Sequence, residues 1–309
     1  MVQKTTIGIL GAGAWAMALA NLATDNGHEV RIWSRGGKVS LSAVLQNADI
    51  ILSAISMTGV SDIVSQIEFL PLSAKTIFVT ATKGLDPQTT CTPSQIWQGA
   101  FPDHPVVVLS GPNLSAEIRQ SLPAATVVAS KNQKAAQLVQ RVFSSSCFRV
   151  YTNPDPIGVE LGGTLKNIMA IAAGVCDGLH LGTNAKAALV TRGLTEMVRI
   201  GQNWGAKMET FYGLSGLGDL LATCNSPLSR NYQVGYQMAG GKTLVEVLAN
   251  LPGTAEGVNT CQVLIKRAQE HRIAIPITQQ VYALLQGEVT PRQALEELML
   301  RDIKPEYNC

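Results

Sequence analysis

Polar side chains interrupt two apolar segments in the second half of the chain. Lys166 and Asn167 lie inside one such segment, and Asp219 and Thr223 lie inside another that is rich in glycine. A lysine with apolar flanks often only extends its amine to the surface, but a lysine kept from water can exchange protons with a reacting group. On spacing alone, a catalytic and a purely structural role for Lys166 both remain open.

A glycine-rich turn near the N-terminus predicts a nucleotide site. Gly11 and Gly13 follow a short β-branched apolar run and precede an apolar helix, and Ala16 occupies the third glycine position of the pattern. Gly11 permits the tight turn, Gly13 lets a diphosphate approach the backbone, and the helix N-terminus supplies N–H groups and a positive dipole. The alternative is a structural turn that binds no nucleotide.

The end of the second predicted strand indicates which nicotinamide cofactor is bound. Enzymes that use NAD usually carry Asp or Glu here, where the carboxylate accepts hydrogen bonds from the ribose 2′-hydroxyl. This chain has Trp33-Ser34-Arg35 instead. Because a guanidinium can offer two parallel N–H groups to a phosphate, Arg35 predicts a preference for NADPH, with NADH as a second possible cofactor. The alternative is that Arg35 is a solvated loop cation.

The elements that would position these residues follow from hydrophobic patterning. Apolar runs without strict alternation predict strands covered on both faces, as in a parallel sheet with helical crossovers. The predicted strands are residues 5–10, 29–33, 49–55, 76–80, 106–109, 124–129 and 148–151, and the predicted helices between them are 14–26, 41–47, 60–66 and 134–143. The fold class is therefore α/β, with a Rossmann-type doubly wound sheet domain.

After Asn153-Pro154-Asp155-Pro156 the pattern changes to helical spacing. The prediction is a dinucleotide-binding domain over residues 1–153 and an all-α substrate-binding and catalytic domain over residues 154–309. Its predicted helices are residues 157–176, 184–204, 231–238, 244–249, 258–270, 277–285 and a last one that begins at Pro291 with Thr290 as N-cap.

Composition excludes several classes of protein. Hydrophobic residues make up 46% and charged residues 15%, which excludes disorder, and the 24 basic and 22 acidic side chains give a charge of only +2, which argues against a nucleic-acid partner. Sparse charge suggests apolar surface buried between subunits, so we expect homo-oligomerisation. The six cysteines lie far apart and predict no metal site.

The N-terminal segment has two interpretations. Lys4 and the apolar stretch 7–20 superficially match a signal peptide, but the stretch is split by glycines and fits a strand, a turn and a helix better. We therefore expect a soluble, cytoplasmic protein with no stable membrane insertion.

Seven short motifs follow one another along nearly the whole chain. They are Gly11-Ala12-Gly13-Ala14-Trp15, Thr82-Lys83-Gly84-Leu85, Ser110-Gly111-Pro112-Asn113, Leu165-Lys166-Asn167-Ile168, Gly216-Leu217-Gly218-Asp219-Leu220, Ser229-Arg230-Asn231 and Ala255-Glu256-Gly257-Val258. In this order and spacing they resemble the bacterial-type NAD(P)-dependent glycerol-3-phosphate dehydrogenases. The resemblance implies reversible reduction of dihydroxyacetone phosphate to sn-glycerol 3-phosphate, a precursor of glycerophospholipids, and a dimer packed through the helical domain.

The resemblance also implies a role for individual residues. The implied catalytic residues are Lys166, Lys83, Asp219 and Thr223. The implied substrate contacts are Lys83, Gly111, Asn113, Lys166, Asn167, Asp219, Ser229, Arg230 and Asn231, with Arg230 and Asn231 at the phosphate end. The implied cofactor contacts are Gly11, Gly13, Ala14, Trp15, Lys83, Ser115, Arg230 and Glu256, to which the reasoning above adds Arg35.

Three departures from the family pattern lie near the adenosine half of the cofactor. They are Ala16, a short segment 36–47, and Ala54-Ile55-Ser56 in place of a Val-Pro-Ser turn. Two other interpretations stay open at this point. One is a ketopantoate reductase or β-hydroxyacid dehydrogenase-like enzyme, whose substrate would carry a carboxylate. The other is a non-catalytic nicotinamide-dependent redox sensor, which would have no use for Lys166, Lys83 and Asp219.

Overall fold

The computed structural model describes residues 4–303 and 305–306. This part of the chain divides into two compact units. The first unit is formed by the residues up to Lys83 together with Cys91–Glu160, and the second by Gly84–Thr90 and the residues from Leu161 onward. The functional division at residues 153 and 154 stays a prediction.

The first unit contains a seven-stranded sheet in the order β2-β1-β3-β4-β5-β6-β7. Its strands are β1 (Thr6–Leu10), β2 (Glu29–Trp33), β3 (Ile50–Ser53), β4 (Ile77–Thr80), β5 (Val106–Ser110), β6 (Ala124–Ala129) and β7 (Phe148–Asn153). Leu10 pairs with Trp33 on one side and with Ser53 on the other, all in parallel register. The turns that follow β1, β2 and β3 therefore lie at one edge of the sheet, where Rossmann-type folds bind ligands.

The helices of the first unit cover both faces of this sheet. They are α1 (Ala14–Asp25), α2 (Leu41–Leu45), α3 (Val60–Ile67), α4 (Pro93–Ala100), α5 (Ser115–Arg119) and α6 (Gln133–Phe143). Ile7 and Ile9 face the core that includes α1 and α6, whereas Leu10 faces the core that includes α2, α3 and α4. The prediction of strands buried on both faces is confirmed for β3, β4 and β5, whereas β2 at the sheet edge is half-buried and β7 is exposed on one face.

Two features of the first unit differ from the expectation. The pair β5·β6 is antiparallel, and the connection between these two strands contains the five-residue helix α5. Helices α4 and α5 were not expected, although the start of α4 carries the local signals: Thr92 and Gln95 form a capping box, and Pro93 occupies the first helical position.

The second unit consists of helices over the part of the chain that the structure describes. These helices are α7 (Pro156–Gly178), α8 (Gly182–Asn203), α9 (Met208–Phe211), α10 (Asp219–Cys224), α11 (Arg230–Ala239), α12 (Leu244–Asn250), α13 (Glu256–His271), α14 (Pro276–Gln286) and α15 (Pro291–Met299). The first turn of α7 belongs to the first unit, and a π-helical turn (Leu214–Gly218) precedes α10. The predicted helical pattern is confirmed, while α9 and α10 were not expected.

Helix α7 is long and apolar enough to cross a membrane by length and composition. In the structure, 94% of its most apolar 18-residue window is buried inside the protein. This burial is what the central helix of a packed helical domain requires.

Candidate active site

Gly11 makes the turn between β1 and α1. It has φ +113°, a conformation that favours glycine, and its N–H donates a 2.8 Å hydrogen bond to the carbonyl oxygen of Trp33. A Cβ atom at this position would lie 2.7 Å from the carbonyl oxygen of Ala54. The third motif position, Ala16, is fully buried in the core, so its methyl group fits between helix and sheet.

Gly13 leaves the start of α1 open to a ligand. It is the N-cap residue, no side chain caps the helix there, and a Cβ built on Gly13 would meet no atom within 4 Å. The first N–H groups of this 12-residue helix are thus accessible to an anion. Ala14 is exposed at the same end and Trp15 packs half-buried against the core. These residues fit the diphosphate of a dinucleotide.

Arg35 is exposed and follows β2 by two residues. Its Nη2 atom lies 3.6 Å from the position that a Cβ atom on Gly59 would take, and Gly59 is the N-cap residue of α3. The acidic residue of β2, Glu29, stands at the opposite end of the strand, where it pairs with Arg31 at 2.6 Å. The strand end therefore offers a guanidinium and no carboxylate, as the sequence indicates.

Lys83 and Gly111 are brought together in the first unit. The Lys83 ammonium, which is half-buried, donates a 3.3 Å hydrogen bond to the carbonyl oxygen of Gly111. Gly111 has φ +154°, and a Cβ there would lie 3.0 Å from the Cα atom of Thr126, so a larger residue would displace backbone. The loop after β5 thus holds the lysine at the ligand-binding edge of the sheet.

Asn113 is oriented by a buried hydroxyl. Its Nδ2 donates to Thr126 Oγ1 at 3.0 Å, and this hydroxyl donates to the carbonyl oxygen of Ser110 at 2.9 Å. The Oδ1 atom of Asn113 is buried and accepts no hydrogen bond from the described residues. A buried acceptor without a donor is what a ligand hydroxyl or amide would satisfy. Ser115, the first residue of α5, is half-buried nearby in the chain.

The second unit brings Lys166, Asp219 and Thr223 together as the sequence suggests. Lys166 on α7 is only 7% exposed, and its Nζ donates to Asp219 Oδ1 at 2.8 Å and to Thr223 Oγ1 at 2.5 Å. The Thr223 hydroxyl donates in turn to the same Asp219 oxygen at 3.2 Å. The lysine is thus a buried cation held by a carboxylate and a hydroxyl from one face of α10.

A close backbone approach positions Asp219 against α7. A Cβ on Gly162 of α7 would lie 2.8 Å from the carbonyl oxygen of Ser215, in the π-helical turn that leads into Asp219. Cys224 ends α10 beside the cluster, and burial raises the pKa of its thiol to about 12. The thiol therefore stays protonated at neutral pH.

The start of α11 carries Ser229, Arg230 and Asn231. Ser229 is the N-cap, and its Oγ accepts a hydrogen bond from the N–H of Tyr232 at 3.2 Å. Arg230 is exposed, whereas Asn231 is buried and its Oδ1 accepts from the N–H of Gly257 at 2.9 Å. The Asn231 amide nitrogen and the Arg230 guanidinium are the groups that could donate to an anion.

Asn167 and Glu256 lie beside this segment. A Cβ on Gly257 would be 2.8 Å from both the Asn167 carbonyl oxygen and Asn231 Oδ1, which shows how closely α7, α11 and α13 approach. Asn167 is 5% exposed, and Glu256 is the half-buried first residue of α13. The roles of these two residues stay predictions.

Sequence reasoning missed two deeply buried carboxylates, Glu160 and Glu196. Glu160 is 2% exposed, its Oε1 accepts a 2.8 Å hydrogen bond from the N–H of Ser94 at the start of α4, and its Oε2 accepts one from the Ser94 hydroxyl. Burial raises its pKa to about 7, against the lowering effect of these hydrogen bonds. The available signal was a single carboxylate inside an apolar helix, but its partner lies 66 residues away in the chain.

Comparison with known proteins covers both halves of the chain. A model of the NAD-dependent glycerol-3-phosphate dehydrogenase N-terminus matches residues 6–40 and 36–136, and a model of the C-terminus matches residues 155–296. The chain is 77% identical over 307 residues to the glycerol-3-phosphate dehydrogenase (NAD(P)+) of Nostoc sp., covering 99% of this chain and 100% of that protein. It is 61% identical over 305 residues to the protein of the same name from Acaryochloris marina, covering 99% and 98% of the two chains.

A solved structure has the same fold throughout. The crystal structure of glycerol-3-phosphate dehydrogenase from Coxiella burnetii superposes with a TM-score of 0.92 at 35% identity and covers 96% of this chain and 99% of that one. The resemblance seen in the motifs is thereby confirmed over both units. The chain belongs to the family of NAD-dependent glycerol-3-phosphate dehydrogenases.

Proposed function

We propose that the chain is an oxidoreductase that reversibly reduces dihydroxyacetone phosphate to sn-glycerol 3-phosphate with NAD(P)H. The observation that carries this proposal is the buried Lys166–Asp219–Thr223 cluster, which lies in the same unit as the paired donors Arg230 and Asn231. Membership of the family supports the reaction. A reductase for carboxylate substrates is not favoured, because both halves match this family.

Reduction of the central carbonyl turns its oxygen into an alkoxide, which needs a positive charge and a proton within reach. A nicotinamide cofactor held at the turn of Gly11 and Gly13 would supply the hydride. The Lys166 ammonium supplies both charge and proton, since its Nζ carries three donors and the bonds to Asp219 and Thr223 direct it. Asp219 and Thr223 act by holding the lysine, and Asn167 next to it in α7 contributes a substrate contact.

The phosphate end of the substrate is assigned to the start of α11. The Arg230 guanidinium offers a planar pair of N–H donors, the Asn231 amide adds a third donor, and the first N–H groups of this 10-residue helix add a positive dipole. Ser229 contributes as the residue that caps this helix. An anion site of this kind needs no high net charge on the protein.

The first unit contributes Lys83, Gly111 and Asn113 to substrate binding. The Lys83 ammonium, which donates to the Gly111 carbonyl oxygen, is assigned to both substrate and cofactor. Asn113 offers its buried Oδ1 as an acceptor.

The cofactor is assigned to the turn after β1. Gly11, Gly13, Ala14 and Trp15 hold the diphosphate, and Arg35 gives the preference for NADPH over NADH. Further contacts are assigned to Lys83, Ser115, Arg230 and Glu256. Arg35 supports the preference because the end of β2 offers it in place of a carboxylate.

The biological setting is proposed from the same family membership. We infer a cytoplasmic enzyme that supplies glycerophospholipid synthesis and works as a homodimer without a nucleic-acid partner. Sedimentation equilibrium of the purified chain tests the dimer, with a monomer at micromolar concentration as the contradicting outcome.

The reaction is tested by NADPH oxidation with dihydroxyacetone phosphate, beside unphosphorylated dihydroxyacetone and ketopantoate. We expect rapid oxidation only with the phosphorylated ketone. Oxidation with ketopantoate alone would identify a carboxylate substrate, and cofactor binding without any turnover would identify a redox sensor.

A further inference from the structure

Tyr232, Asp177 and Lys186 form a cluster that the proposed reaction does not use. The Tyr232 hydroxyl on α11 donates to Asp177 Oδ2 on α7 at 2.7 Å, and the Lys186 ammonium on α8 donates to the same oxygen at 2.6 Å. Lys186 Nζ also lies 5.6 Å from the centre of the Tyr232 ring. Three helices are thus joined at one carboxylate oxygen.

The cluster is partly shielded from water. The side chains of Lys186 and Asp177 are 19% and 30% exposed, and they line a cavity of about 810 Å³. Among the described residues, the lining of this cavity includes none of those assigned to substrate or cofactor. A hydroxyl that donates to a carboxylate in such a place makes a charge-assisted bond, stronger than one between neutral groups.

The cluster links the proposed phosphate site to the helix of the catalytic lysine. Tyr232 directly follows Arg230 and Asn231 in the first turn of α11. Asp177 lies eleven residues after Lys166 on α7, which is about three helical turns, so both side chains leave the same face of that helix. The hydroxyl bond therefore joins the turn that carries Arg230 and Asn231 to the face that carries Lys166.

The two helices approach as closely as their backbones allow. A Cβ on Gly235 would lie 1.9 Å from the carbonyl oxygen of Ile171, and a Cβ on Gly174 would lie 2.1 Å from the carbonyl oxygen of Tyr232. These contacts set the distance between α7 and α11, and one of them lies at the Tyr232 carbonyl group in the first turn of α11. The first turn of a helix has few internal hydrogen bonds, so side-chain bonds decide where it sits.

We propose that Tyr232 is a positioning residue for phosphate recognition: its hydroxyl, bonded to Asp177, holds the first turn of α11 so that Arg230 and Asn231 keep their place relative to Lys166. This role rests on the proposed assignment of the substrate phosphate to Arg230 and Asn231. Tyr232 touches neither substrate nor cofactor in this account. The hydroxyl bond supplies directional restraint, which the glycine contacts lack.

The test is Tyr232→Phe, which removes one hydroxyl and keeps the ring. We expect the KM for dihydroxyacetone phosphate to rise about tenfold, with kcat little changed, because ground-state and transition-state binding of the phosphate fall together. The value of kcat/KM for unphosphorylated dihydroxyacetone should not change. Tyr236→Phe is the matched control, since Tyr236 lies one turn further along α11, is exposed and stacks on Tyr232.

Asp177→Asn tests the same bond from its other end and serves if Tyr232→Phe fails to fold. It should raise the same KM, and it also removes the charge opposite Lys186. The double variant should be no worse than Asp177→Asn alone, because the charge-assisted bond from Tyr232 is already lost in that variant. An unchanged KM for dihydroxyacetone phosphate would overturn the positioning role of Tyr232. An equal fall in activity with dihydroxyacetone phosphate and with unphosphorylated dihydroxyacetone would overturn it as well. Turnover of dihydroxyacetone phosphate by the unsubstituted protein tests the proposed function separately, and its absence would remove both.

Discussion

Replacing Lys166 by methionine separates the chemical role of the lysine from its structural role. The substitution keeps the length of the side chain but removes the ammonium that lies 2.8 Å from Asp219, a carboxylate that is only 2% exposed. Removing one partner of a buried ion pair leaves the other charge uncompensated, so we expect the free energy of unfolding to fall by about 3 kcal/mol. Turnover should fall by about 1,000-fold or more, because both the proton and the charge that stabilises the alkoxide are lost.

The double variant Lys166→Met/Asp219→Asn provides the decisive comparison. A neutral amide needs no counter-charge, so urea unfolding should show most of the lost stability restored, while turnover stays as low as in Lys166→Met. NADPH binding, followed by its fluorescence, should stay close to the unsubstituted value in both variants. Lys131→Met, at an exposed lysine, is the control and should change neither quantity.

Two results would refute this reasoning. One is turnover by Lys166→Met within tenfold of the unsubstituted protein, measured as NADPH oxidation at saturating dihydroxyacetone phosphate. The other is turnover that returns together with stability in the double variant. Either result would mean that Lys166 supports the fold and is not the proton donor.

Three further predictions concern the first unit. The pKa of Glu160 is raised to about 7, so between pH 4.5 and 7 this residue binds more protons in the folded chain than in the unfolded one, and its contribution to the free energy of unfolding falls by about 3 kcal/mol as pH rises. Burial also raises the pKa of Glu196, so in urea unfolding at pH 5 and pH 8 Glu160→Gln should show a smaller loss than the unsubstituted protein, and an equal loss in both would contradict the prediction. Arg35→Ala should lower kcat/KM for NADPH about tenfold and leave the value for NADH unchanged, so an equal fall for both cofactors would remove Arg35 from specificity. Gly13→Ala should weaken NADPH binding without lowering the melting temperature, because its Cβ would enter open space, whereas Gly11→Ala should lower both the affinity for NADPH and the melting temperature. Calorimetry and NADPH titration distinguish the two cases, and a lower melting temperature of Gly13→Ala would be evidence against open space beside Gly13.

Features encoded over short stretches could be predicted from the sequence. The strand, the turn at Gly11 and the helix from Ala14 follow from β-branched residues, from glycine's freedom at positive φ and from apolar spacing, all within about 20 residues. The absence of a carboxylate after Trp33 is also a local fact. The order of the motifs indicated the family, because their spacing along the chain is itself a property of the sequence.

Contacts between distant residues were decided only by tertiary structure. Lys166 and Asp219 are 53 residues apart, and spacing alone left the lysine equally consistent with a solvated side chain until α7 and α10 packed together. Asp177 and Tyr232, 55 residues apart, carried no signal at all, since an aspartate near a helix end and a tyrosine after an arginine are ordinary surface choices. The hydrogen-bond partner of Glu160 and the antiparallel direction of β6 were likewise decided only by tertiary structure. Periodicity tells which side of an element is buried, but the partner of a buried polar group depends on which elements pack together, and that is a property of the whole fold.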